Sequence, residues 1–215
     1  MIGTSVETAV AYLKKGKIVA FPTETYYGLA VDPENRVAVE RLFKVKKRVS
    51  EKPLLLLIHT REQLESLVKE IPPEFVPLME KYWPGALTLV FPAGPLVDTG
   101  VTGGTKTIGI RISPHPVAQR LVQGFGKPIT ATSANISGLP PASAPDEILA
   151  MFGDGVDYIL DGGIVTGGLS STVLAVIQDR IAILRHGQIA LQKEELEGSL
   201  ESGRAGLTER GNSSN

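Results

Sequence analysis

The run Pro53-Leu-Leu-Leu-Leu-Ile58 leaves no polar position for a solvent-facing side, so a strand built from it needs cover on both faces. Helices must supply that cover, and the chain contains them. Thr4-Ser-Val-Glu7 reads as a capping box before a stripe of Ala9, Val10 and Leu13, with Gly16 ending the helix. Asn35 is placed to cap a second helix with Val37, Val39, Leu42 and Phe43 as its apolar positions. Thr60-Arg-Glu-Gln63 repeats the capping pattern before Leu64, Leu67 and Val68, and Pro72-Pro73 opens another helix over Glu74–Tyr82. Further helices are expected near Val117–Val122 and Asp146–Met151. Lys17–Phe21, Ala86–Phe91, Thr105–Ile112, Pro128–Thr132 and Tyr158–Leu160 have strand character, and Thr172–Ile177 with Arg180–Leu184 reads as a hairpin closed by Gln178-Asp179. Helices alternating with such strands predict an α/β domain whose twisted sheet mixes parallel and antiparallel pairs.

Composition narrows the chemistry. Without cysteine among 215 residues, disulfides, thiolate zinc sites and a cysteine nucleophile are excluded. His59, His115 and His186 lie far apart in sequence, so no ligand-spaced pair and no metal site is identified. A net charge of −1 excludes a strongly basic nucleic-acid binder on overall balance, though a local basic patch remains open. No apolar run approaches the roughly 18 residues of a membrane span, and the first residues lack a signal-peptide pattern. The expectation is a soluble, cytoplasmic domain without membrane contact. From about Gln192 the chain loses its aromatics and turns polar, which predicts a short helix at most and then a disordered tail.

Five groups of residues could carry function. Phe21-Pro-Thr-Glu-Thr-Tyr-Tyr-Gly-Leu29 sets hydroxyls and a carboxylate where a strand ends, the place where α/β sheets gather ligands. The same segment also fits a β-turn with satisfied hydroxyls. Arg41, Lys44, Lys46, Lys47, Arg48 and Lys52 concentrate positive charge, opposed only by Glu51. On a continuing helix Arg41, Lys44 and Arg48 would share a face, as a phosphate site or as a solvated helix end. Thr130-Ala-Thr-Ser-Ala-Asn-Ile-Ser-Gly138 starts as a strand and dissolves into small polar residues. In Thr107-Ile-Gly-Ile-Arg111, alternation puts Thr107, Gly109 and Arg111 on one face, and a charge there needs an acidic partner or an anion. Ser171, entering one hairpin strand, and Arg185, leaving the other, should meet at one sheet end. Trp83-Pro-Gly-Ala-Leu-Thr88 reads as a helix-to-strand connection, and no Walker or Rossmann glycine pattern is present.

In this order the segments resemble the YrdC/Sua5 family of threonylcarbamoyl-adenylate synthases. The resemblance rests on Phe21–Leu29, Lys46-Lys-Arg48, Lys52-Pro-Leu54, Trp83–Thr88, Gly109-Ile-Arg111, Ser133-Ala-Asn-Ile-Ser-Gly138, Asp161-Gly-Gly163, Ser171-Thr-Val173 and Leu184-Arg-His-Gly187. It implies a single YrdC-like catalytic domain over residues 1–191, with a concave basic surface and a polar tail over 192–215. It also implies a nucleotidyltransferase that converts L-threonine, bicarbonate and ATP, supplied with Mg2+, into threonylcarbamoyl-AMP and pyrophosphate. A separate threonylcarbamoyl transferase complex would then modify the adenosine beside the anticodon of tRNAs reading ANN codons.

Matched position by position, the resemblance assigns Lys46 and Arg48 to catalysis. Arg48, Lys52, Thr107, Ser133, Asn135, Pro141 and Arg185 go to ATP; Thr25, Arg111, Ala131 and Ser171 go to threonine. Tyr26 stands where Val is more usual, Lys52 where longer members have Asn, and Leu57 where they have a threonine-contacting His. Lacking the additional C-terminal domain of the longer form, the chain resembles the short, YrdC-only type. An RNA-binding module, or a paralogue of the same fold without synthase activity, is the alternative.

Overall fold

In a computed structural model that describes residues 1–49 and 51–197, the strands form two mixed sheets rather than the single sheet expected from the sequence. The first sheet orders β1 (Ile2–Gly3), β9 (Tyr158–Leu160), β2 (Val19–Phe21), β3 (Gly28–Ala30) and β8 (Thr132–Ser133). The second orders β11 (Arg180–Arg185), β10 (Thr172–Ile177), β5 (Leu87–Pro92), β6 (Thr107–Arg111), β4 (Leu55–Leu57) and β7 (Ile129–Thr130). What reads as one strand, Pro128–Thr132, is shared between them. Ile129 and Thr130 pair with Leu57 and Leu56 in the second sheet, whereas Thr132 and Ser133 pair with Leu29 and Gly28 in the first. Ala131 is the crossing point, and its N–H donates to Leu55 O at 2.7 Å.

Alternation along β4 explains its apolar run. Leu54, Leu56 and Ile58 enter one core with β5, β6 and the inner positions of the first sheet. Leu57 enters a second core with Val19, Phe21 and Leu160. Both faces are covered, as the sequence requires. Helices α1 (Val6–Lys14) and α6 (Pro116–Phe125) pack together over the second core through Ala9, Leu13, Ala118 and Leu121. Helices α2 (Arg36–Val45), α4 (Phe75–Tyr82) and α7 (Pro145–Phe152) close the first through Leu42, Phe75 and Ile148. Short helices α3 (Leu64–Leu67) and α5 (Thr99–Thr102) turn the chain between strands. The last, α8 (Lys193–Glu197), is tied down where Glu195 accepts from Lys81 at 2.8 Å and Tyr82 at 2.9 Å. Residues 198–215, most of the expected tail, lie outside the described residues.

Local signals hold with two corrections. Ser5, not Thr4, caps α1: its Oγ accepts from Thr8 N–H at 3.1 Å and donates to Glu7 at 2.9 Å. Val37 is 76% exposed, and Ala38 takes its place on the buried stripe, because a residue two positions before Val39 lies about 200° around the helix, on the opposite face. Gln178 and Asp179 both adopt positive φ, 51° and 57°, so the hairpin turn has the backbone that suits the strand twist despite an unusual residue pair. Among the described residues, no helix is long and apolar enough to cross a membrane.

The Asn35 cap, whose Oδ1 accepts from Ala38 N–H at 3.1 Å, yields the first prediction. Asn35→Ala should lower unfolding free energy by about 1 kcal/mol in a denaturant titration. An unchanged midpoint would show that α2 is held by packing alone.

Candidate active site

Between β2 and β3 the chain turns a corner, Pro22–Tyr27, whose side chains fasten it from several directions. Thr23 donates to Tyr26 O at 2.7 Å, which uses its one hydroxyl proton. The 2.9 Å contact between Thr23 and Thr25 hydroxyls is therefore donated by Thr25, whose oxygen keeps only acceptor capacity. Tyr27 donates to Gly163 O at 2.7 Å and accepts from Gly162 N–H at 3.1 Å. Tyr26 makes the equivalent pair with Gly168, accepting from its N–H at 3.1 Å and donating to its carbonyl. A valine at this position could not hold the 161–168 segment in that way.

Glu24 points behind the corner to Arg111 at 3.0 Å and accepts from the Ser113 hydroxyl. Arg111, 5% exposed on β6, uses Nη1 for Glu24 and, at 3.5 Å, for the Thr25 hydroxyl oxygen, while its Nε meets no partner. Burial pulls the guanidinium pKa down and the Glu24 charge opposes that shift. Arg185, at the end of β11, donates to Ser171 O at 3.1 Å and to Ser171 Oγ at 2.9 Å, so the hairpin does bring these two residues together. Gly187 permits this approach: a Cβ there would lie 2.3–2.4 Å from the backbone of Ser170, Ser171 and Thr172.

The basic segment divides instead of presenting one charged face. Helix α2 ends at Val45, and Lys47 at φ 48° turns the chain, so Arg41, Lys44 and Arg48 do not share a face. Arg41 pairs with Asp157, and Lys44, Lys47 and Lys52 are exposed. Arg48 reaches inward, where Nη2 donates to Pro53 O at 2.9 Å and Nε is buried without a partner. Lys46, 1% exposed, lies beneath the Ser133–Asn135 loop. Its ammonium donates to Ser133 O, to Asn135 O at 2.7 Å and to Asn135 Oδ1 at 3.1 Å. Burial, then the charge of Arg48, lowers its pKa to about 7. The three acceptors act in the opposite direction, because only an ammonium can satisfy all of them.

One cleft of about 450 Å³ opens between the two sheets. Thr25, Arg48, Thr107, Arg111, Ala131, Ser133, Ser171 and Arg185 line it. Lys46, Lys52, Asn135 and Pro141 do not: Lys46 and Asn135 brace the floor from below, Lys52 faces solvent, and Pro141 is half-buried outside the lining. Leu57 is wholly buried in the second core. Thr88 lines the cleft although the sequence reading placed it in a connection. The missed signal is alternation in β5, where Leu87, Leu89 and Phe91 enter the core and leave Thr88 and Val90 on the opposite, cleft-lining face. The lining contains three arginines and no Asp, Glu or His.

The Sua5/YciO/YrdC family profile, described as "Telomere recombination", matches residues 11–187. The chain belongs to this family. A threonylcarbamoyl-AMP synthase of Pyrococcus abyssi is 39% identical over 190 residues, covering 88% of this chain and 56% of that protein. One from Bacillus subtilis is 39% identical over 193 residues, covering 89% and 55%. The chain thus spans just over half the length of these relatives. The structure of P. abyssi Sua5 in complex with L-threonine superposes with a TM-score of 0.87 at 37% identity, covering 94% of this chain and 61% of that one.

Lys46→Met removes the donor from three loop acceptors and should cost about 2–4 kcal/mol of unfolding free energy. Stability equal to the parent's would mean that the loop does not depend on the ammonium.

Proposed function

We propose that this chain is a threonylcarbamoyl-AMP synthase, joining L-threonine, bicarbonate and ATP with release of pyrophosphate. The observation that carries the proposal is a cleft lined by three arginines and many hydroxyls with no carboxylate, in a member of a family whose relatives carry that name. Fixed cations without lining acids suit a ligand that is anionic at both ends. The threonine carboxylate would take Arg111 and Ser171, beside Ala131 and Thr25. The triphosphate would take Arg48 and Arg185, with Thr107 and Ser133 supplying neutral contacts to the nucleotide.

In this reading the threonine amine captures the bicarbonate carbon with loss of water. The resulting carbamate oxygen attacks the α-phosphate, the bond to the β-phosphate breaks, and pyrophosphate leaves. Charge grows on the phosphoryl oxygens and leaving group, where preorganised guanidinium groups lower the barrier without reorganising. Mg2+ would arrive on the nucleotide phosphates. Glu24, the carboxylate paired with the lining residue Arg111, is already committed to it and to Ser113, and among the described residues no cluster of His, Asp and Glu composes a magnesium site. The unstable product would pass in the cytoplasm to a threonylcarbamoyl transferase complex acting on tRNA. The RNA-binding alternative would draw on exposed Lys44, Lys47 and Lys52 outside the cleft.

The test is pyrophosphate release from ATP, with threonine and bicarbonate omitted in turn. Release that requires both supports the synthase. No release, together with salt-sensitive tRNA binding, would favour the RNA-binding alternative. Arg48→Ala should abolish release while unfolding stays cooperative; unchanged turnover would refute its phosphate role. Arg111→Ala should raise the threonine requirement far more than the ATP requirement, a loss on the order of 2–5 kcal/mol. Equal losses for both substrates would count against a carboxylate contact.

A further inference from the structure

Thr88 lines the cleft, and neither the resemblance nor the proposed reaction gives it a role. It sits on β5 in register with Val173 of β10, which places it beside Ser171 across the parallel pair. The two hydroxyl oxygens are 2.8 Å apart, and both residues are nearly inaccessible, Thr88 at 1% and Ser171 at 3%.

Either hydroxyl can donate across this contact, and the partners around the pair differ. A serine hydroxyl has one proton and two acceptor sites. Arg185 Nη2, which can only donate, takes one acceptor site of Ser171 at 2.9 Å. Thr88 Oγ1 meets no polar partner other than Ser171 among the described residues, so that oxygen is the acceptor available to its proton. With Thr88 as the donor, Ser171 receives two donors and its own proton is left to point into the cleft.

We infer that Thr88 is a positioning residue, which with Arg185 fixes the Ser171 hydroxyl as a donor toward an anionic oxygen of the amino-acid substrate. The inference rests on the proposed amino-acid pocket and deepens it. Ser171 is set to donate to a carboxylate oxygen, complementing Thr25, whose committed proton leaves it an acceptor. Arg185 links the two ends of the cleft, because the guanidinium proposed to meet phosphate also fills one acceptor site of the residue proposed to meet threonine.

The test is a double-variant cycle read by calorimetric binding of L-threonine to the purified chain. Thr88→Val keeps shape and removes the donor. It should weaken L-threonine binding about tenfold, the scale of one hydrogen bond, and leave the melting temperature within a few degrees. Thr88→Ser should restore most of the loss. In the Ser171→Ala background, Thr88→Val should cost nothing further, because Thr88 acts only through Ser171. In turnover, the threonine KM should rise while the ATP KM and kcat stay within about threefold. Losses that add across the two positions, or a Thr88→Val variant with parental affinity, would overturn the inference. A parent chain that binds no L-threonine would overturn the amino-acid pocket itself, a failure distinct from that of Thr88.

Discussion

Everything at the site depends on a strand that changes sheets at Ala131. Thr130 is bonded to both sheets, pairing with Leu56 while its Oγ1 accepts from Val31 N–H at 2.9 Å. Two residues later, Thr132 belongs to the first sheet. This crossing holds the sheets together at one end, so that their adjoining edges diverge into a cleft. Ala131, Arg111 and residues of the Thr23–Tyr27 corner all line that cleft. Ala131 is itself tied to the second sheet by its N–H, which donates to Leu55 O at 2.7 Å.

Buried charge is the second organising element. Two cations, Lys46 and Arg111, are buried, Arg185 is exposed at the end of β11, and each is held by a different kind of partner. Lys46 satisfies three acceptors of a loop, Arg111 has Glu24, and Arg185 has both oxygens of Ser171. The Lys46 arrangement makes the loop that carries Ser133 part of the packed floor. The arginines keep donor capacity in reserve, as unpartnered Nε atoms of Arg48 and Arg111 show. Unused buried donors cost free energy in the empty protein, and an anionic ligand removes that cost on binding.

How much of this was legible follows from the range of each signal. The Leu54–Ile58 run and the Asn35 cap were readable because burial on both faces and capping leave direct marks in local sequence. The Arg111 and Arg185 placements followed from strand alternation and a hairpin. The shared face of Arg41, Lys44 and Arg48 was not readable correctly, because the helix is stopped by Lys47 at positive φ, without the glycine or asparagine that usually announces such a turn. The division of Pro128–Thr132 between two sheets had no local mark, since both halves have the same strand character. Whether Lys46 faces ligand or loop depends on contacts 87 and 89 residues away, which no local pattern encodes.

The central claim is that one cleft between the sheets holds the amino acid on Arg111 and the triphosphate on Arg48 and Arg185. A crystal structure with L-threonine and a non-hydrolysable ATP analogue tests it most directly. The account predicts the threonine carboxylate within hydrogen-bond distance of Arg111 and Ser171, with phosphates at Arg48 and Arg185. Phosphates on the outer Lys44–Lys52 surface, or threonine bound outside the cleft, would contradict it.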